Sequence, residues 1–348
     1  MEIVSIALLP LSKLYGAIVW LRNRCYDMQL FHSRKVDVPV ISVGNMTAGG
    51  TGKTPFVEYL VRYLLARKKR VAVISRGYKR KSRGLVVVSD GGSMLVNRSD
   101  AGDEPFQIAE KFPEAVVIVD ERRLRAARES VEKYGVEVIV LDDGFQHRSL
   151  ERDLDVVMVN GAESLQDLPM LPAGLRREPM QELGRADLVV ISGPRSRDDV
   201  PAQLKKYTSA PVVSAAARPI LFRSLLEKSR RTLEEMRGSS CMAFCGIGNP
   251  ESFRRALESA GVRINQFVTF RDHHGYTAKD LEGIMKLYEG NPQQYLVTTE
   301  KDAVKLRSLS LDAARCGGKF CFLEIEMEIV EGRALLHESI DAVFRRAS

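Results

Sequence analysis

The chain has 348 residues, of which 45% are hydrophobic and 28% charged, with a formal net charge of +7. These proportions exclude a disordered chain and allow a large core, most simply in two domains, while the positive balance points to an anionic surface or substrate. Five cysteines (Cys25, Cys241, Cys245, Cys316 and Cys321), odd in number and without a C-x-x-C pair, give no sign of a zinc site or disulfide framework and suit a reducing, cytosolic environment.

Residues 1–31 are apolar but interrupted by Pro10, Ser12 and Lys13. Positive charge follows the apolar part, at Arg22 and Arg24, and no small-residue cleavage site is visible, which argues against a signal peptide. The unbroken apolar run is shorter than the ~20 residues that a bilayer span needs. Two readings remain. The segment is either a helix lying against the core, or one resting in a membrane interface with Tyr15, Trp20 and Tyr26 beside basic flanks.

From residue 38 onward, short apolar runs alternate with longer amphipathic stretches. The runs fall at 38–44, 71–75, 115–119, 136–142, 155–159 and 187–192. Near-continuous apolar character over so few residues predicts buried parallel strands separated by helices, hence a doubly wound α/β domain with its chemistry along the carboxyl edge of the sheet.

The first of these strands runs into "GNMTAGGTGKTPF" (44–56) and then an amphipathic helix, the context that a phosphate loop requires. Backbone N–H groups of Gly49, Gly50, Thr51, Gly52 and Lys53 are placed to face phosphate oxygens at a helix N-terminus. Lys53 is positioned for the β- and γ-phosphates and the Thr54 hydroxyl for Mg²⁺, so the expected ligands are ATP and Mg²⁺. Thr47 stands where the strict pattern has its first glycine. Pro55 falls in the first helical turn, whose N–H groups lack partners in any case.

Ten basic residues between Arg62 and Arg83 follow with no acid among them. They form either a solvated helix end and loop or an anion-facing patch. The loop 99–112 then brings Asp103 and Glu104 to a helix start, either as simple caps or as a base toward a substrate hydroxyl and a metal ligand. The strand 136–142 ends in Asp142 and Asp143, where phosphate-loop proteins hold magnesium; adjacent residues point to different sides, so one of the two faces the metal. Gln146 and His147 follow on the same turn.

After residue 222 the alternation restarts. A helix at 231–238, a strand into a Gly turn at 241–248, a helix at 250–261 and a strand at 294–302 predict a second, smaller α/β unit. Long strand-like segments at 211–222 and 319–330 flank it, and a helix closes the chain. The expected organisation is a membrane-associated segment 1–31, a nucleotide-binding domain 32–222, a smaller domain 223–328 and a terminal helix within 329–348.

In order, "GNMTAGGTGKTP", "SRGYKR", "GDEP", "LDDGFQHRSL", "LPAG" with "REP", "FCGIGNPESF", "DHH" with Tyr276, and "TTEKDAVKL" closely resemble the tetraacyldisaccharide 4'-kinase family of lipid A biosynthesis. "DDGFQHR" and "TEKDAVK" are far more specific than the phosphate loop. The resemblance spans about residues 10–325, and the family's loop also departs from the strict first glycine.

That resemblance implies two α/β/α domains joined by a two-stranded linker. The implied reaction moves the ATP γ-phosphate to the 4'-hydroxyl of a tetraacylated glucosamine disaccharide 1-phosphate, at the cytoplasmic face of the bacterial inner membrane. It favours the interfacial reading of the N-terminal helix and gives the basic run a lipid surface to face. By position, Thr47 to Thr54 become the nucleotide loop and Asp103 the base. Glu104, Asp142 and Asp143 join Thr54 as metal partners. His273 becomes the histidine supporting Asp103 after domain closure, with His274 as the alternative. Arg76, Gln146, His147 and Arg177 become substrate-binding candidates, with Arg176 competing with Arg177 and structural salt bridges as the other reading of both Arg76 and Arg177. The lipid A disaccharide precursor and the membrane are the implied partners, with neither nucleic acid nor an obligate protein partner.

The alternative is a P-loop ATPase or GTPase that drives a partner protein. A guanine-reading N-K-x-D segment is missing, since "TEKD" (299–302) lacks the Asn. Nucleic-acid binding is disfavoured by the absence of zinc spacing and RNP-type strands and by 7% aromatic content.

Overall fold

A computed structural model of the chain describes residues 7–162, 165–193, 200–307, 309 and 318–347. Cys316 lies outside them; the four other cysteines are free thiols. The chain divides into two compact units, Met1–Ala216 with Glu328–Ser348, and Ala217–Met327.

The first unit is built on β1 (Val40–Asn45), β2 (Val71–Ser75), β3 (Val86–Asp90), β4 (Val116–Val119), β5 (Val138–Asp142), β6 (Leu154–Asn160), β7 (Leu188–Ser192) and the start of β8 (Val212–Ser224). Their order is β8-β7-β6-β1-β5-β2-β4-β3. All neighbouring pairs are parallel except β3 with β4. The expected α/β class follows directly: β1, β2, β4, β5, β6 and β7 are buried along their whole length, which is why each reads as a continuous apolar run. β3 was not anticipated. It is an antiparallel strand at the end of the sheet with only its middle buried, so its sequence carries no buried-strand signature.

Helices α2 (Lys53–Ala66), α3 (Arg98–Ala101), α4 (Asp103–Lys111) and α5 (Arg123–Tyr134) supply the connections. They follow α1 (Leu9–Asp27), which turns the usual amphipathic arrangement inside out. Its buried positions are Ser12, Val19 and Asn23, while Leu11, Leu14, Ile18, Trp20 and Leu21 are each more than half exposed. Polar side chains hold it. Ser12 Oγ donates to Met170 O (2.7 Å) and Tyr15 Oη to Arg177 O (3.1 Å). Asn23 Nδ2 and Arg22 Nη2 donate to the buried Glu178 carboxylate at 2.8 and 3.1 Å. Among the described residues no helix is long and apolar enough to cross a membrane.

The basic run between Arg62 and Arg83 is split by its partners. Arg67 pairs with Asp341, Lys69 with Glu137 and Arg80 with Glu121, while Lys68, Arg70, Arg76, Lys79, Lys81 and Arg83 are exposed.

In the second unit β9 (Arg230–Thr232) pairs antiparallel with the end of β8. β10 (Ser240–Cys245), β11 (Arg263–Thr269), β12 (Tyr295–Thr299) and β13 (Phe320–Glu331) are parallel in the order β11-β10-β12-β13. The helix expected over 231–238 shrinks to α7 (Leu233–Met236), after α6 (Val200–Leu204) of the first unit. The Thr232–Glu235 capping box starts α7 at Leu233, so the preceding residues are free to pair as β9. α8 (Pro250–Ser259), α9 (Ala278–Glu289) and α10 (Glu300–Leu306) complete the unit, each N-capped by a side chain, from Asn249, Thr277 and Thr299. The terminal helix α11 (Arg333–Ala347) belongs to the first unit. There His337 Nε2 lies 2.7 Å from Tyr59 Oη of α2.

Candidate active site

β1 lies in the middle of its sheet between β5 and β6, two strands that follow it in sequence. In a doubly wound sheet this is where the strand order reverses, and ligands bind beyond the carboxyl ends there. The phosphate loop leaves β1 at that point. Gly52, at φ +78°, turns the chain into α2. Asn45 Nδ2 donates to Thr51 Oγ1 (3.1 Å), and Ser192 Oγ, from the end of β7, donates to Thr51 O (2.7 Å).

Thr47 is buried and is not in a left-handed conformation, so the position does not need glycine. Its half of the loop is tied to the "LPAGLRREP" segment through a bridge to Arg176, Ala48 N to Leu175 O (2.7 Å) and Arg177 N to Met46 O (2.8 Å).

The two aspartates at the end of β5 have different partners. Asp142 is buried and accepts from Ser75 Oγ at 3.0 Å. Burial, with Glu104 and then Asp143 nearby, pushes its carboxyl up to about 7. Asp143 sits at φ +52° and faces cations, with Lys53 Nζ at 3.4 Å and Arg177 Nη1 at 2.9 Å. Lys53 and Arg177 hold it below the usual carboxylate range in spite of its partial desolvation.

Arg177 is therefore the arginine of its pair that reaches the site. Arg176 directs Nη1 to Leu165 O at 3.4 Å. Gln146 donates to Asn45 O (2.9 Å) and accepts from Arg177 at 3.5 Å, fixing the end of β1 against this cation. His147 contacts Ser149 Oγ at 3.0 Å. Burial, then the charges of Arg123, Arg152, Arg76 and Arg22, pushes its imidazole down to about 4.

Asp103 begins α4 and accepts from Arg98 Nη1 at 2.7 Å. Gly77 and Gly102 approach so closely that a Cβ on Gly102 would lie 3.2 Å from the Gly77 backbone, which brings "SRGYKR" against "GDEP". Arg76 stands exposed beside this contact.

Three participants carry no role in the sequence reading, although Ser75 opens "SRGYKR". Arg123, the buried first residue of α5, donates to Asp120 O and Glu121 O at 3.3 and 3.1 Å. Burial, then Arg76, lowers its guanidinium pKa, while Asp143 and Asp142 offset part of that cost. Ser75 and Ser192 are the last residues of β2 and β7. A polar residue that ends an apolar strand is the signal for Ser75 and Ser192, whereas Arg123 lies four residues beyond the end of β4 and carries none.

In the second unit, His274 Nε2 lies 3.2 Å from Asp280 Oδ2 and its ring stacks on Phe270 at 4.7 Å. His273, at φ +56°, has Lys301 Nζ 3.2 Å from its Nε2. His274 is thus part of the packing around the α9 cap.

A phosphate loop at the switch point of a parallel sheet, with a buried carboxylate on the neighbouring strand, defines a P-loop nucleotide-dependent phosphotransfer protein. The family model described as "Tetraacyldisaccharide-1-P 4'-kinase", LpxK, matches residues 4–345. The tetraacyldisaccharide 4'-kinase of Chlorobium phaeobacteroides is 37% identical, with 99% of each chain covered. That of Syntrophotalea carbinolica is 42% identical over 87% of this chain and 84% of its own. A crystal structure of LpxK from Aquifex aeolicus in complex with ATP superposes with a TM-score of 0.79 at 32% identity, covering 98% of this chain and 99% of that one. The chain belongs to the tetraacyldisaccharide-1-P 4'-kinase family.

Proposed function

We propose that this family member performs its reaction, transfer of the ATP γ-phosphate to the 4'-hydroxyl of tetraacyldisaccharide 1-phosphate in lipid A biosynthesis, with Asp103 as the base. The observation that carries the assignment is the convergence of the phosphate loop, Asp142 and the Asp103–Glu104 turn around one sheet edge. Glu104 is close enough to Asp142 to raise its pKa.

The loop amides and Lys53 cradle the phosphates, and Lys53 exchanges Asp143 for them when ATP binds. Asp103, oriented by Arg98, takes the hydroxyl proton. Arg177 and Arg76 supply guanidinium groups for the phosphates or the sugar. His273 supports the base. Gln146 and His147 position their neighbours in the site, and the low pKa of His147 keeps a further positive charge out of it.

The oxygen donors fit Mg²⁺. Asp142, Glu104 and the Thr54 hydroxyl are all hard ligands, and among the described residues no three His, Cys, Asp or Glu side chains form a cage of their own. Mg²⁺ is commonly held by one or two carboxylates together with substrate phosphates. Bound there, it would offset charge on the transferring phosphoryl group.

The exposed apolar face of α1, with Lys13 and Arg24 also exposed, suits a membrane interface. An acylated substrate and a cytosolic ATP supply favour a reaction at the cytoplasmic face of the inner membrane.

The test is ³²P transfer from γ-labelled ATP to tetraacyldisaccharide 1-phosphate in detergent micelles. Wild type should label the lipid, and Asp103→Ala should do so at least ~100-fold more slowly. Label appearing in inorganic phosphate alone would refute the transfer, and an unimpaired variant would remove Asp103 from its role.

A further inference from the structure

The segment "TTEKDAVK" (298–305) is left without a function by the reaction as assigned. Its residues surround the loop that carries His273. Thr299 ends β12 and caps α10, accepting from Asp302 N at 3.1 Å while its own hydroxyl donates to Asp302 Oδ2 at 2.8 Å. Asp302 is fully buried and also accepts from Gly246 N (2.8 Å) and Lys305 Nζ (2.9 Å). The Gly246 carbonyl in turn accepts from His273 N at 3.1 Å. A side chain at Gly246 would crowd this turn, since a Cβ there would lie 3.1 Å from His274 Cβ and 3.2 Å from both Arg271 O and Tyr276 Oη. A buried carboxylate thus fixes a backbone turn, and that turn fixes the left-handed His273.

The residue before Asp302 acts on the ring itself. Lys301 Nζ is 3.2 Å from His273 Nε2. An ammonium group has donors and no acceptor, so Nε2 must accept, and the proton of the neutral ring is then on Nδ1.

We propose that Lys301 is a positioning residue that locks His273 in the Nδ1–H tautomer, so that His273 serves the reaction as a hydrogen-bond donor to an anionic oxygen and not as a proton acceptor. The proton of the sugar hydroxyl then ends on the carboxylate base, and His273 keeps its own. This rests on the supporting role given to His273 above.

The experiment is long-range ¹H–¹⁵N correlation NMR of the full chain labelled at histidine. With five histidines in the sequence, the His273→Gln variant assigns the signal. Wild type should show a protonated Nδ1 and an unprotonated Nε2 for His273, and Lys301→Met should lose that pattern. An Nε2–H tautomer in wild type, or a pattern unchanged in Lys301→Met, overturns the proposal. In the kinase assay, Lys301→Met should lower kcat ~10- to 100-fold with the KM for ATP unchanged, and Lys301→Arg should restore part of it. Equal loss in both variants, or a fall in the thermal midpoint that accounts for the loss, would reduce Lys301 to a structural residue. Full activity of His273→Gln would overturn the role assigned to His273, while the nitrogen signals still decide the tautomer.

Discussion

His147 shows how position fixes the charge of a single residue. Unfolded, its imidazole titrates near 6.5; folded, it titrates near 4. Between these values the unfolded chain binds more protons, so this residue's contribution to stability is complete above about pH 6.5 and is lost as pH falls toward 4. Thermal midpoints measured from pH 7 to pH 4 should fall less steeply for His147→Gln than for wild type, and parallel curves would disprove the depressed pKa. At this scale the sequence shows Lys53, Thr54, Asp142 and Asp143, because glycine spacing and a strand end are local patterns. Arg123, Ser75 and Ser192 escape it, since each reaches the site only through the order of strands in the sheet. The same limit applies to the basic run. Glu121 and Glu137, which neutralise Arg80 and Lys69, lie 41 and 68 residues away in the chain.

Among the elements, α2 and α4 carry the phosphate loop and Asp103, and a buried ionic brace sets one against the other. Glu58 of α2 accepts from Gln107 Nε2 at 2.8 Å and from Lys111 Nζ at 2.7 Å, both on α4. The Glu58 and Lys111 side chains are only 3% and 10% exposed, so removing one partner strands a buried charge. Glu58→Ala should cost about 3 kcal/mol in urea unfolding, and Glu58→Leu with Lys111→Met should recover most of it. A single-variant loss under about 1 kcal/mol would show that the pair is solvated. The strands were legible because full burial leaves a continuous apolar run, whereas the half-buried β3 and the three-residue β9 leave none. The brace was illegible because a lone Glu on an amphipathic helix looks solvent-facing until its neighbour is placed.

For the whole molecule, the proposed membrane contact rests on the exposed face of α1. Leu14→Glu with Ile18→Glu should weaken co-sedimentation with anionic phospholipid vesicles about 10-fold or more, given ~1 kcal/mol for each half-exposed aliphatic side chain. Unchanged binding would move the contact elsewhere. The residues alone leave a core helix and an interfacial helix both open, and only the family resemblance favours the second. Its apolar residues were plain, yet which side they occupy depends on Glu178, Met170 and Arg177, far along the chain. The polar anchoring of this helix has a kinetic consequence. An amphipathic segment that folds only on reaching lipid must lose ~1 kcal/mol or more of backbone freedom per residue at that moment. Here the 19 residues are already wound and fastened to the body by Ser12, Tyr15, Arg22 and Asn23. In the proposed interfacial role, arrival at a bilayer is a rigid landing, with capture set by diffusion and release by how deeply five side chains reach into the lipid.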